Sequence, residues 1–161
     1  MRGYRLLGVV AALVVAIDQA TKTLALETLS DSPVDVLGGV VTLRITINSG
    51  GAFGVLQGVP GFFLVATIGI VVAILVWARH VEQRPWLVAL GLVLGGGVGN
   101  VVDRVLRGHG GVVDFVDLHW WPVFNVADAA IVTGVGLLLL LGAKGEGSAK
   151  GSPAEEAPAS R

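Results

Sequence analysis

Two aspartates, Asp114 and Asp128, stand on either side of a Trp120-Trp121-Pro122 boundary. Asp114 follows Val112-Val113 and precedes Phe115-Val116, as in a short strand, and Asp128 lies just inside a long apolar run. A carboxylate at the edge of a membrane span is costly, which makes Asp128 a functional-site candidate by default. Two carboxylates in a partly dry site divide their roles. Like charges close together do not both ionise cheaply, so one keeps a proton near neutral pH. The ionised member can activate a water while the protonated member polarises a carbonyl and later protonates a leaving amine. That is aspartyl-protease chemistry, and it requires no metal or cofactor. A structural reading competes with it. Asn125 and Asp128 resemble an N-cap followed by an acid in the first turn of a helix. Asp114 reads equally as an exposed loop acid, for which Asp117 is the natural control.

Other polar residues fall inside apolar stretches. Asp18 and Lys22, spaced i, i+4, share a helix face and can pair; a structural ion pair is the favoured reading. Asn100, Asp103, Arg104 and Arg107 follow one another on a helical face. Arg104 is a permanent cation with a planar donor fork, able to pair with Asp103, orient a carboxylate or hold a substrate carbonyl or phosphate. Rival chemistries lack their parts. The chain has no cysteine, so a thiolate nucleophile and Cys-ligated metal are excluded. His109 and His119 come without an H-E-x-x-H, Ser49 without a G-x-S-x-G elbow, and the loop Asn48–Gly54 without a Walker lysine.

The elements that must position these residues are membrane spans. Only 14% of the 161 residues are charged and 53% are hydrophobic, in blocks of membrane-spanning length. Mean hydropathy is +0.79. A net charge of −1 gives no sign of a nucleic-acid partner. The expected fold is an all-α polytopic membrane protein with four transmembrane helices at about 5–27, 61–79, 85–106 and 123–141. Arg2, Arg5 and the run Leu6–Ile17 also suit a cleaved signal peptide. The segment after Ile17 is no small-residue cleavage site, however, and Leu24–Leu26 extend the span. Val34–Ile47 has strand and hairpin composition, so 34–54 is expected to form a small extracytoplasmic β cradle. Residues 1–142 make one membrane domain, and 143–161 lack the apolar residues for a core and are expected to be a disordered cytoplasmic tail.

Four spans put both termini on one side. Arg2, Arg5, Arg79, Arg84, Lys144 and Lys150 make that side basic, hence cytoplasmic, although Arg44, Arg104 and Arg107 fall opposite. Segments 28–60 and 107–122 then face outward, with Trp120 and Trp121 in an interfacial aromatic belt. At about 1.5 Å per residue, Asp18 lies roughly 20 Å beyond Arg5, and Asn100 at a similar depth beyond Pro85. Asp128 sits a few residues inside the outer end of its span. Polar intrusions from three spans thus converge on one layer near the outer surface. Gly91, Gly95 and Gly99 form successive G-x-x-x-G units that bring the third span close to a neighbour.

Five ordered blocks carry a family resemblance across residues 5–142: Asp18-Gln-Ala-Thr-Lys22, Asn48-Ser-Gly-Gly-Ala-Phe-Gly54, Gly99-Asn100-Val-Val-Asp103-Arg104, Val113-Asp114-Phe115 and Phe124-Asn125-Val-Ala-Asp128. Together they resemble the bacterial lipoprotein signal peptidases, signal peptidase II. Gly51 stands where that family usually has Ala. The resemblance implies four transmembrane helices, an extracytoplasmic β cradle and a short outer helix in the bacterial cell membrane. It implies an aspartyl endopeptidase that cleaves diacylglyceryl prolipoproteins before the lipidated cysteine, without cofactor or obligate protein partner. Asp114 and Asp128 become the catalytic dyad. Asn48, Gly50, Asn100, Arg104 and Asn125 shape or support the site, and Asp18 and Lys22 serve a structural or substrate-facing role. The alternative is a non-catalytic small transporter or proton-coupled channel using Asp18, Asp114 and Asp128 as a relay. A transporter is expected to show an internal repeat, which this chain lacks. A presenilin-like protease is expected to show G-x-G-D on a span, also absent.

Overall fold

The computed structural model describes residues 2–29, 32–49, 60–108 and 110–150. Four helices dominate it: α1 (Arg2–Thr28), α2 (Pro60–Trp77), α3 (Arg84–Leu106) and α4 (Val126–Lys150). Among the described residues, three stretches are long and apolar enough to cross a membrane: Gly3–Thr28, Arg84–Leu106 and Val126–Lys144. Leu64–His80, α2 with the 3-10 turn after it, is a shorter apolar helix.

Helix α1 buries Leu7, Ala11, Val14, Asp18, Lys22 and Ala25, and exposes Val9, Leu13, Ile17 and Leu24. The buried set recurs every three or four residues, the seam by which a helix packs on its neighbours. Asp18 and Lys22 lie in that seam, so these two charges point inward while aliphatic side chains of the same helix cover the outside.

The neighbour is α3, which packs against α1, α2 and α4 and forms the centre of the bundle. Its glycines permit the approach. A Cβ on Gly95 would stand 2.7 Å from the Ala11 carbonyl oxygen of α1, and one on Gly96 would collide with the Ala127 carbonyl of α4. The small-residue stripe expected to bring the third span against a neighbour therefore serves two, one on each side.

Three antiparallel strands cap one end of the bundle: β1 (Val34–Val36), β2 (Val41–Asn48) and β3 (Val112–Asp117), in the order β1-β2-β3. A 3-10 turn at Leu37–Gly39 joins β1 to β2. The β2–β3 register pairs Leu43 with Val116 and Thr46 with Asp114, so β2 carries one extra residue between them. The β composition of 34–47 is thus realised; residues 50–54 lie outside the described residues.

Two boundaries differ from expectation. The fourth helix starts at Val126 rather than 123, because the Phe124 backbone is already bonded to β3. Its N–H donates to the Val116 carbonyl at 3.0 Å, and its carbonyl accepts from Phe115 and Val116. At the other end α4 runs on to Lys150, inside the expected tail. Ala143, Lys144, Glu146, Ala149 and Lys150 are good helix formers, and extending an existing helix is far easier than nucleating one. Residues 151–161 lie outside the described residues.

Candidate active site

Asp114 is carried by the central part of β3 and is only 1% exposed. Asn48, at the end of β2, lies diagonal to it on the same face of the sheet, because Asp114 pairs with Thr46 two residues earlier. Asn48 Nδ2 donates to Asp114 Oδ2 at 3.0 Å, and Asn125 Nδ2 donates to Oδ1 at 2.6 Å. Burial first, and then the neighbouring Asp128 charge, push the Asp114 carboxyl from 3.8 up to about 7, against the pull of the two asparagine bonds.

Asp128 sits in the first turn of α4 and is half-buried. Asn100 of α3 donates Nδ2 to Asp128 Oδ1 at 2.9 Å, and the Asn125 N–H reaches Oδ2 at 3.3 Å. Asn125, fully buried just before the helix, therefore touches both carboxylates. Its Oδ1 also accepts the Asp128 N–H at 2.9 Å. The half-buried Arg104 donates to the Asn100 carbonyl at 3.3 Å and brings its charge within electrostatic reach of Asp128 and Asp114.

Behind the carboxylates lies a second polar layer. Lys22 binds Asp18 at 2.8 Å and Asp103 at 2.9 Å, with all three side chains fully buried. Asp18 Oδ1 accepts the Ala127 N–H at 2.9 Å, adding an α1 carboxylate to the positive end of α4. Asp103 Oδ2 accepts the Val113 N–H of β3 at 3.0 Å, and its Oδ1 accepts from Gln19 at 2.9 Å and Arg107 at 3.1 Å. Every buried side-chain nitrogen and oxygen among the described residues has a partner. A satisfied network of this kind fixes geometry, because each displaced group leaves another unpaired in a dry interior.

The convergence expected of Asp18, Asn100 and Asp128 is present, and Lys22, Asn48, Arg104, Asn125 and Asp114 join them. Gly50 and His109 lie outside the described residues. The pairing open to Arg104 and Asp103 is not made; Asp103 is taken by Lys22 and Arg107. Asp103 and Gln19 are the supporting residues that the sequence reading left out of the site. The i, i+4 spacing of Asp103 and Arg107 signals their pair, and the signal for Gln19 is its place between Asp18 and Lys22 in the first of the five blocks.

Asp117 stands apart from Asp114 and Asp128. Arg44 Nε binds its Oδ2 at 2.6 Å and the His119 N–H its Oδ1 at 2.7 Å. The Arg44 hydrogen bond holds its carboxyl below the usual carboxylate value. His119 itself closes the hairpin, with Nε2 at 3.2 Å from both Thr42 Oγ1 and the Gly39 carbonyl.

An open groove of about 340 Å³ leads to Asp128, walled by Leu118, Trp120, Trp121 and Phe124 on one side and Ala129, Val132 and Thr133 of α4 on the other. Its lining is almost wholly apolar apart from the carboxylate. The site thus offers two neighbouring carboxyls, with that of Asp114 raised toward neutrality, beside a cation and an apolar trough.

A family model described as signal peptidase (SPase) II matches residues 10–143. A lipoprotein signal peptidase of Rhodococcus jostii (strain RHA1) is 42% identical over 156 residues, covering 91% of this chain and 78% of the relative. One from Mycobacterium avium (strain 104) is 44% identical over 147 residues, covering 87% and 80%. A bacterial membrane enzyme solved by the in meso method has a TM-score of 0.77 at 31% identity, covering 92% of this chain and 93% of its own. Matched over most of its length in sequence and in fold, this multi-pass membrane chain belongs to the signal peptidase II family.

Proposed function

We propose that the chain is an intramembrane aspartyl endopeptidase that removes signal peptides from diacylglyceryl-modified prolipoproteins, cleaving before the lipidated cysteine. The observation that carries this reading is Asn125, one buried side chain bonded to both carboxyl-bearing residues and so fixing them to one another. The names of the relatives supply the substrate class. The groove suits it: an apolar trough ending at a carboxylate accepts a lipid-bearing peptide that arrives from the bilayer.

Asp114, deeply buried and titrating at about 7, is the acid. Asp128, nearer the groove, is the base. Asp128 takes a proton from a water as its oxygen bonds to the scissile carbonyl carbon, and Asp114 gives its proton to the carbonyl oxygen. In the resulting gem-diol, Asp128 passes its proton to the amide nitrogen. The carbon–nitrogen bond breaks and Asp114 recovers a proton from a hydroxyl. Arg104 steadies the negative charge that builds up nearby. Asn48, Asn100 and Asn125 hold the carboxyls, and Asp18 and Lys22 brace α1 against α4. In this reading α2 is the fourth span, both termini are cytoplasmic and the sheet lies at the outer face.

Separate Asp114→Asn and Asp128→Asn variants of the full chain in lipid, given a diacylglyceryl-modified prolipoprotein, are expected to lose cleavage about a thousandfold or more. Near-normal cleavage by either properly inserted variant would sink the dyad. The carboxylate-relay transporter finds no support in the family, and solute movement in liposomes without cleavage is the result that would revive it.

A further inference from the structure

Lys22 is completely buried and takes no part in the proton transfers above. Its ammonium has three N–H bonds and three partners: Asp18 Oδ2 at 2.8 Å, Asp103 Oδ2 at 2.9 Å and Asn100 Oδ1 at 3.1 Å. Two partners are charged. The third is a neutral amide, and it leads to the dyad. A primary amide has an acceptor end and a donor end of nearly equal size, so either orientation fills the same space. Lysine only donates. Facing Lys22 Nζ, and Asn125 Nδ2 at 3.3 Å, Asn100 must turn its oxygen toward them, which aims its Nδ2 at Asp128 Oδ1, 2.9 Å away.

We propose that Lys22 is a positioning residue for the dyad: it locks the Asn100 amide in the orientation that donates to Asp128, leaving Asp128 the member that receives the proton from water. Without Lys22 the Asn100 oxygen keeps only the 3.3 Å approach of Asn125 Nδ2, whose two hydrogens are also claimed by Asp114 at 2.6 Å and the Val113 carbonyl at 3.3 Å, so the amide can turn over and offer its oxygen, an orientation that matches a protonated Asp128. The dyad proton then sits on Asp128, and Asp114 has none to give. This inference rests on the dyad reading. The charged groups facing Asp128 are Asp114 from β3, Asp18 and Lys22 from α1, and Arg104 from α3, with Asp103 behind Lys22. Removing Lys22 also removes one of those charges directly. The test must therefore separate loss of charge from loss of amide orientation.

A double-mutant cycle does so, on the full chain in lipid vesicles with a diacylglyceryl-modified prolipoprotein. Lys22→Met is expected to lower kcat about tenfold or more, with KM changed less than about twofold. The acidic limb of the kcat profile is expected to move up by about one pH unit. In an Asn100→Ala background the same substitution is expected to cost less than about threefold and to leave the limb in place. Losses that multiply, or a limb that moves equally in both backgrounds, overturn the proposal. Lys22→Met leaves Asp18 and Asp103 short of a cation, so it is also paired with Asp103→Asn, which restores the charge count of the cluster. The limb is expected to stay shifted in that pair, and its return to the wild-type position would also overturn the proposal. Asp128→Asn, run alongside, keeps the two readings apart. If it is inactive while the losses multiply, the dyad stands and the role of Lys22 falls; if it cleaves, the dyad itself falls.

Discussion

Asn125 and Asp128 hold each other: Asn125 Oδ1 accepts the Asp128 N–H at 2.9 Å, and Asp128 Oδ2 accepts the Asn125 N–H at 3.3 Å. This reciprocal pair is a capping box, with Asn125 as N-cap and the acid three residues on. From sequence, helix capping and chemistry compete for these residues; in the fold the cap is what aims the carboxylate. The second oxygen of Asp128 is left for Asn100, and the amide nitrogen of Asn125 is left for Asp114.

Serine and alanine at position 125 separate the two roles. Asn125→Ser keeps an oxygen for the Asp128 N–H but is too short to reach Asp114, while Asn125→Ala loses both. Thermal unfolding is expected to place the Ser variant above the Ala variant by about 1 kcal/mol. Cleavage assays are expected to find both at least about tenfold slower than wild type. A Ser variant with wild-type turnover would show that Asn125 only caps.

The raised carboxyl of Asp114 gives a pH dependence with a definite sign. Below about 7 it holds the proton that the mechanism needs, so cleavage is expected to fall as pH rises through that value. Stability follows the same direction. In the unfolded chain Asp114 ionises near 3.8, so between that value and about 7 the folded chain binds more proton and loses stability as pH rises. The wild-type protein is expected to lose on the order of 2 kcal/mol more than Asp114→Asn between about pH 4.5 and about pH 8.5. Parallel stability curves would argue that Asp114 is ionised throughout.

Neighbouring glycines on α3 make a matched pair. A Cβ at Gly96 would meet the Ala127 carbonyl and stand 2.7 Å from Ile131 Cγ1, whereas at Gly97 it would find ordinary contacts, 3.4 Å to Thr67 and 3.7 Å to Val71. Gly96→Ala is expected to push α4 away and cost about 1–3 kcal/mol, with a matching loss of cleavage. Gly97→Ala is expected to be neutral, or to stabilise by up to about 1 kcal/mol through helix propensity. Equal unfolding curves for the two variants would contradict the packing described here.

Asp117 remains the control for the dyad. It lies three residues from Asp114 on the same strand, but its partners are Arg44 of β2 and His119, just after β3. Asp117→Asn is expected to keep cleavage within about fivefold of wild type. A loss as deep as that of Asp114→Asn would point to a catalytic role for the hairpin cluster.

Three of the expected spans, the strands and the layer shared by the polar intrusions were legible in the sequence because each is local. An unbroken apolar run, a Val-rich alternation and a count along a helix need no knowledge of partners. The layer shared by Asp18, Asn100 and Asp128 could be read from that count alone. What local pattern does not contain is which side chain meets which across elements. Asp103 looks like a mate for its neighbour Arg104, yet the fold gives it to Lys22, far earlier in the chain, and to Arg107. Gln19 bridges Asp18 and Asp103 with one amide, and although it stands in the first of the five blocks, nothing there names Asp103 as its partner. The start of α4 was misplaced for the same reason, since the Phe124 backbone is engaged by a strand rather than by its own neighbours.

The bond from the Ala127 N–H to Asp18 joins residues 109 positions apart. During synthesis, α1 carries Asp18 into the bilayer long before its partner exists. A nascent chain that stops short of α4 has Asp114 but not Asp128, Asp18 but not the Ala127 N–H, and no cap. On the proposed mechanism, proteolytic competence is therefore the last event of assembly, and an unfinished chain cuts nothing.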